Sequence, residues 1–120
     1  MDPFAGGVRR AELTVDRAPR EDGVICLAVA GEIDMTTGDR FSDTLRQAVK
    51  EPDAHRVLVD VSNVQFMDSN AVAVLARTRR SAMERGVSFG IINARGAVRH
   101  VLEMLGVYEL LAADDHGIRG

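Results

Sequence analysis

Three consecutive polar residues, Asp68, Ser69 and Asn70, lie between an apolar stretch and a segment with helical spacing. All three residue types are favoured at helix N-caps, so a helix is expected to begin here. A serine at such a position exposes its hydroxyl beside unpaired backbone N–H groups and the positive end of the helix dipole, which accommodates a phosphate. Ser69 is therefore our candidate functional residue, although capping alone is the commoner role of such a trio.

A second polar segment, Asp34 to Gly38, follows an earlier apolar stretch. Loops that follow parallel strands gather at one end of an α/β sheet, where partner sites tend to lie. We therefore expect Asp34 and Thr36 to approach the segment from Met67 to Ala71 and to form one partner-binding face with it. Turn and capping roles also explain Asp34 and Thr36.

The surrounding sequence predicts the elements that position these residues. Val57 to Val61 is a nearly continuous apolar run, typical of a central strand covered on both faces. The other predicted strands lie within Val8 to Asp16, Val24 to Ala30 and Val87 to Ile92. The order β-β-α-β-α-β-α predicts an α/β fold, with helices packed on a mixed sheet of about four to five strands.

Three predicted helices separate or follow these strands. The first begins at a capping box formed by Thr36 and Asp39 and ends before Pro52. The second begins at Ser69, ends at Gly86 and carries an apolar face formed by Val72, Leu75, Ala76, Arg79, Ala82 and Met83. The third carries Val98, Val101, Leu102 and Leu105, and a short segment from Tyr108 to Leu111 follows it.

Composition indicates one domain without the basic charge that nucleic acid would require. The chain has 120 residues, 46% of them hydrophobic and 4% aromatic, and a net charge of −3. This balance argues against nucleic acid or anionic lipid as a partner. The lone Cys26 lies in an apolar run and is expected to be buried. Because we find neither a span of about 20 apolar residues nor a signal peptide, we expect a cytoplasmic protein.

The sequence gives little support for an enzymatic site. His55, His100 and His116 have no metal-ligand spacing, and there is neither a cysteine pair nor a glycine-rich loop with a lysine. Ser69 also lacks the Gly-x-Ser-x-Gly elbow of a hydrolase nucleophile. We therefore expect no catalysis, no metal and no cofactor of its own.

Two motifs resemble the STAS domain, and most closely the bacterial anti-sigma factor antagonists. Met67-Asp68-Ser69-Asn70-Ala71 is similar to the family's Met-Asp-Ser-Ser-Gly turn, and Gly31-Glu32-Ile33-Asp34 is similar to its Gly-Glu-Leu-Asp stretch. The resemblance covers about residues 8 to 112 of a single domain spanning 1–120. Asn70 stands where a second serine or threonine is common, and Ala71 stands where glycine is common.

This resemblance implies a phosphorylation switch. The unphosphorylated protein would bind an anti-sigma factor that is also a serine kinase and thereby free a sigma factor. Phosphorylation of Ser69 would end that binding, and a phosphatase would restore the unmodified form. The implied contact residues are Asp34, Thr36, Met67, Asp68, Ser69, Asn70 and Ala71, while ATP and magnesium would belong to the partner kinase.

A second interpretation stays open. A STAS module without the switch can act as an accessory or scaffold subunit of a transporter or signalling complex. Such a module would keep the partner face but lose the phosphorylation, and the differences at Asn70 and Ala71 fit it equally well.

Overall fold

Four strands and four helices make up the part of the chain that the computed structural model describes, residues 12–19 and 21–113. In chain order these are β1 (Leu13–Pro19), β2 (Val24–Ile33), α1 (Gly38–Val49), β3 (Arg56–Met67), α2 (Ser69–Glu84), β4 (Ser88–Ile92), α3 (Gly96–Met104) and α4 (Tyr108–Leu111). A single 3-10 turn, Glu21–Gly23, joins the first two strands. The predicted order is confirmed, although the start predicted for the first strand, residues 8–11, lies outside the described residues.

The strands form a mixed sheet in the order β1-β2-β3-β4. β1 and β2 pair antiparallel, as expected for a hairpin, while β2 with β3 and β3 with β4 pair parallel. Parallel neighbours need a crossover, and α1 and α2 supply the two crossovers. The loops after β2 and β3 therefore emerge at the same end of the sheet, as the sequence predicted.

The helices cover one face of the sheet. Alternate residues of β3, Val57, Val59 and Val61, are buried in the main core together with apolar residues from all four helices. Leu58, on the opposite face of β3, is buried in a smaller cluster with Cys26 and Ile92. The continuous apolar run in β3 therefore reflects burial on both faces, as expected for a central strand.

The buried face of α2 differs from the predicted one. Val74 and Thr78 are buried, whereas Met83, which was assigned to the apolar face, is 59% exposed. The buried positions of α2 are Ala71, Val72, Val74, Leu75, Thr78 and Ala82. Thr78 can be buried because its hydroxyl donates a hydrogen bond to the carbonyl oxygen of Val74 at 2.8 Å. The sequence pattern did not indicate this buried face because Thr78 was counted as a polar residue.

The third helix is also shorter than its apolar pattern predicted. α3 ends at Met104, and Leu105 is 47% exposed rather than part of the buried stripe. Gly106 follows with a φ of 74°, a conformation that ends a helix readily. No helix within the described ranges is both long and apolar enough to cross a membrane.

β2 is bulged near its end, where it leads into the predicted partner-binding face. The pairing of β2 with β3 shifts register at two places, between Ala28 and Ala30 and between Gly31 and Glu32. Gly31 has a φ of 106°, and a Cβ atom there would lie 2.0 Å from the carbonyl oxygen of Glu12. Only glycine fits this bend, which accounts for the glycine of the Gly-Glu-Ile-Asp motif.

Candidate functional site

Ser69 is the first residue of α2 and its side chain is exposed. Asp68 is the N-cap: its backbone is extended, and its Oδ1 accepts a hydrogen bond from the N–H of Ala71 at 2.8 Å. The backbone N–H of Val72 donates to the carbonyl oxygen of Asp68 at 3.2 Å. The predicted helix start is thus confirmed, with Asp68 as the cap and Ser69 beyond it at the positive end of the helix dipole.

The segment after β2 is a tight turn closed around Asp34. Its Oδ1 accepts hydrogen bonds from the hydroxyl of Thr36 at 2.7 Å and from the backbone N–H of Thr36 at 2.8 Å. The hydroxyl bond, followed by the backbone one, lowers the pKa of the Asp34 carboxyl below its usual range. Asp34 is therefore a carboxylate at neutral pH, and the turn presents negative charge.

The predicted capping box between Thr36 and Asp39 does not form. Thr37, not Thr36, precedes α1, and its side chain makes no capping bond. Instead, the Thr37 hydroxyl accepts from the N–H of Asp34 at 3.0 Å and donates to the carbonyl oxygen of Glu32 at 3.0 Å. The capping prediction was wrong because Asp34 and Glu32, which precede the box, offer these threonines better partners.

The two loops are joined to each other. Ile33 and Met67, the last residues of β2 and β3, are paired in the sheet. The N–H of Asp68 donates to the carbonyl oxygen of Ile33 at 3.1 Å. A Cβ atom added at Gly38 would lie 3.2 Å from the side-chain nitrogen of Asn70. The structure therefore brings both predicted segments together in one surface, here called the rim and defined by residues 34–36 and 68–70.

The predicted contact residues divide into two groups. Thr36, Ser69 and Asn70 are exposed, and Asp34 and Asp68 are partly exposed. Met67 and Ala71 are buried in the main core, where they support the rim from beneath. Direct contact through this surface therefore falls to the five residues of the first group and their exposed neighbours.

Two exposed apolar side chains lie close to these residues in sequence. Met35 is 82% exposed within the Asp34 turn, and Phe66 is 47% exposed near the end of β3. The side-chain alternation of a strand places Phe66 on the face opposite the buried Met67. The alternation in the sequence could have predicted the exposure of Phe66. The position of Met35 between two turn-forming residues could have predicted the exposure of Met35.

The reactive group that the rim offers is the Ser69 hydroxyl, which can accept a transferred group. No hydrogen bond joins Ser69 to a histidine or a carboxylate within residues 12–19 and 21–113. Across the same residues, no group of three or more histidine, cysteine, aspartate or glutamate side chains could hold a metal ion. The arrangement thus offers an exposed serine oxygen, a helix N-terminus and two acidic neighbours, Asp34 and Asp68.

Comparison with known proteins agrees with this architecture. The family model of the STAS domain matches residues 17–116. The anti-sigma-F factor antagonist RsfB from Mycobacterium tuberculosis is 32% identical over 88 residues, which are 72% of this chain and 69% of that protein. The crystal structure of an anti-sigma factor antagonist from Mycobacterium paratuberculosis has a TM-score of 0.73 at 28% identity, covering 83% of each chain.

The fold is also that of SpoIIAA, an anti-sigma factor antagonist. Its unphosphorylated form has a TM-score of 0.72 at 16% identity, covering 88% of this chain and 93% of that chain. Its phosphorylated form, from Bacillus, has a TM-score of 0.65 at 15% identity, covering 88% and 97%. From its two sequence motifs, its mixed sheet and these matches, the chain belongs to the STAS domain family, alongside proteins named as anti-sigma factor antagonists.

Proposed function

We propose that this protein is an anti-sigma factor antagonist whose rim binds an anti-sigma factor that is also a serine kinase, and thereby frees a sigma factor. The observation that carries the proposal is the exposed Ser69 hydroxyl at the first residue of α2, held beside the Asp34 turn. The names of the relatives supply the class of partner. Met35, exposed between Asp34 and Thr36, adds apolar area to this contact surface.

Phosphorylation of Ser69 is the proposed off switch. A phosphate would add a charge of about −1.5 to −2 at neutral pH, and the N-terminus of α2 would stabilise it by roughly 0.3 to 1 kcal/mol. The same charge would stand beside Asp68 and Asp34, making the rim strongly acidic. Repulsion and desolvation at the partner surface would then weaken binding, and a tenfold effect needs only about 1.4 kcal/mol.

The protein is the substrate of this reaction and not its catalyst. ATP and magnesium belong to the partner kinase, and a phosphatase returns the protein to its active form. We propose that it works in the cytoplasm, through protein contacts and without nucleic acid.

The test is incubation of the full chain with its candidate anti-sigma kinase and magnesium-ATP, followed by intact mass, phosphosite mapping and a binding measurement. We expect one phosphate on Ser69, none in Ser69→Ala, and loss of kinase binding on phosphorylation. Ser88→Ala, which removes an exposed serine at the start of β4, is the matched control and should be phosphorylated normally.

Other outcomes separate the alternatives. Tight binding without phosphate transfer would favour a constitutive antagonist. Neither binding nor transfer would favour an accessory or scaffold subunit of a transporter or signalling complex. Phosphate on another residue would contradict the assignment of Ser69.

A further inference from the structure

A groove lies beside the C-terminal half of α2, at the end of that helix remote from Ser69. It has a volume of about 610 Å³ and is lined by Ala76, Arg79, Arg80, Met83, Glu84 and Leu110. Met83 is 59% exposed and Leu110 is 48% exposed, although both are large apolar side chains. Exposed apolar surface gathered in one concave place and edged by polar residues is typical of an interaction site.

Arginines lie beside these exposed apolar side chains. Arg79 and Arg80 line the groove, and Arg77 lines an adjoining depression of about 360 Å³ that also contains Arg80. In the part of the chain that the structure describes, no aspartate or glutamate forms an ion pair with any of these arginines, not even Glu84, one turn from Arg80. Guanidinium groups bind carboxylates through paired hydrogen bonds, so these arginines are available to an acidic ligand.

The shape and charge of the groove favour a protein segment. Glu84 lies within it and the whole chain has a net charge of −3, whereas nucleic acid and anionic lipid are matched by broad basic surfaces. We propose that the groove is a second docking surface, occupied by an acidic amphipathic segment of a partner protein. An apolar side chain of that segment packs on Met83 and Leu110, and its carboxylates bind the arginines.

This surface is separate from the rim. Ser69 and Met83 lie at opposite ends of α2, about 21 Å apart along the axis at 1.5 Å per residue. The guanidinium of Arg99 in α3 lies 4.5 Å from the centre of the Tyr108 ring, and this contact links α3 to α4, the helix that carries Leu110. A partner in the groove therefore leaves Ser69 uncovered, and its binding does not depend on phosphorylation.

The test is an NMR titration of the full chain with a synthetic helical peptide that carries leucines on one face and glutamates beside them. We expect saturable shifts at Ala76, Met83 and Leu110. Arg80→Glu should weaken binding about tenfold or more, because it removes a guanidinium that binds the peptide's carboxylates and adds a negative charge that repels them. Lys50→Glu makes the same charge change at an exposed residue outside the groove lining and should bind like the wild type.

Three results would overturn the proposal. In the first, millimolar acidic peptide produces no saturable shift. In the second, a peptide with lysine in place of glutamate binds equally well. In the third, vesicles containing phosphatidylglycerol shift the groove resonances while the acidic peptide does not, which would indicate a lipid surface. The amide spectrum of each variant shows whether it is folded, and Ser69 phosphorylation of Arg80→Glu tests the proposed switch separately.

Discussion

Asp68 connects Ser69 to the rest of the rim. Its carboxylate caps α2 by accepting from the N–H of Ala71 at 2.8 Å, and its backbone N–H bonds to Ile33 at 3.1 Å. We expect Asp68→Ala to lower the free energy of unfolding by about 1 kcal/mol, because loss of an N-cap typically costs roughly 0.5–2 kcal/mol. Urea unfolding measures this loss. Asp68→Asn keeps an acceptor oxygen and should lose less; an equal loss would assign the effect to charge.

Asp34 gives the rim a pH dependence. The hydroxyl and backbone N–H of Thr36 hold the pKa of its carboxyl below the usual range. A lowered pKa in the folded state means that the stabilisation is present above the unfolded-state pKa and is lost as pH falls through the folded-state pKa. We expect Thr36→Val to raise the pKa of Asp34 toward its ordinary value in a carboxylate NMR titration.

The stability difference between the wild type and Thr36→Val should therefore shrink on acidification. Thr44→Val is the matched control, since the Thr44 hydroxyl bonds to the carbonyl oxygen of Arg40 within α1 and not to Asp34. An Asp34 pKa unchanged in Thr36→Val would contradict the role given to this hydroxyl.

At the scale of elements, the buried face of α2 can be tested by a pair of substitutions. Val74 is buried, so Val74→Ala should lower the free energy of unfolding by about 2 kcal/mol, through lost apolar burial and the cavity left behind. Met83 is exposed, so Met83→Ala should stay within about 0.5 kcal/mol of the wild type. Urea unfolding compares the two variants. A larger loss for Met83→Ala would support the face predicted from the sequence pattern.

Local signals predicted the order of the elements and the start of α2 correctly. Asp68 and the apolar spacing after it are features that a short stretch of sequence contains in full. The partners of Thr36 and Thr37 were missed because capping was judged from the spacing of Thr36 and Asp39, whereas the partners, Asp34 and Glu32, lie earlier in the chain. The exposure of Met83 was missed because the rotation of α2 depends on packing against other elements.

Across the whole molecule, the parallel pairing of β2 with β3 brings the two motifs together. Residues 34–36 and 68–70 are distant in the chain, yet the register that pairs Ile33 with Met67 makes their loops neighbours. The sequence supported this through the strand order, because carboxyl ends of parallel strands share one edge. It could not supply the two register shifts of β2, because a bulge depends on how the strand pairs with its neighbours.

The last prediction concerns the stability of the phosphorylated protein. A phosphate on Ser69 gains from the N-terminus of α2 and loses through repulsion from Asp68, and each effect is on the order of 1 kcal/mol or less. We therefore expect the Tm to move by less than about 8 °C, the upper range for 1 kcal/mol in a small domain, while partner affinity falls more than about tenfold. Differential scanning calorimetry of kinase-treated protein, with treated Ser69→Ala as the control, measures the first quantity. A much larger fall in Tm would mean that the phosphate acts by unfolding α2, whereas an unchanged fold with lost binding places its action at the surface of the rim.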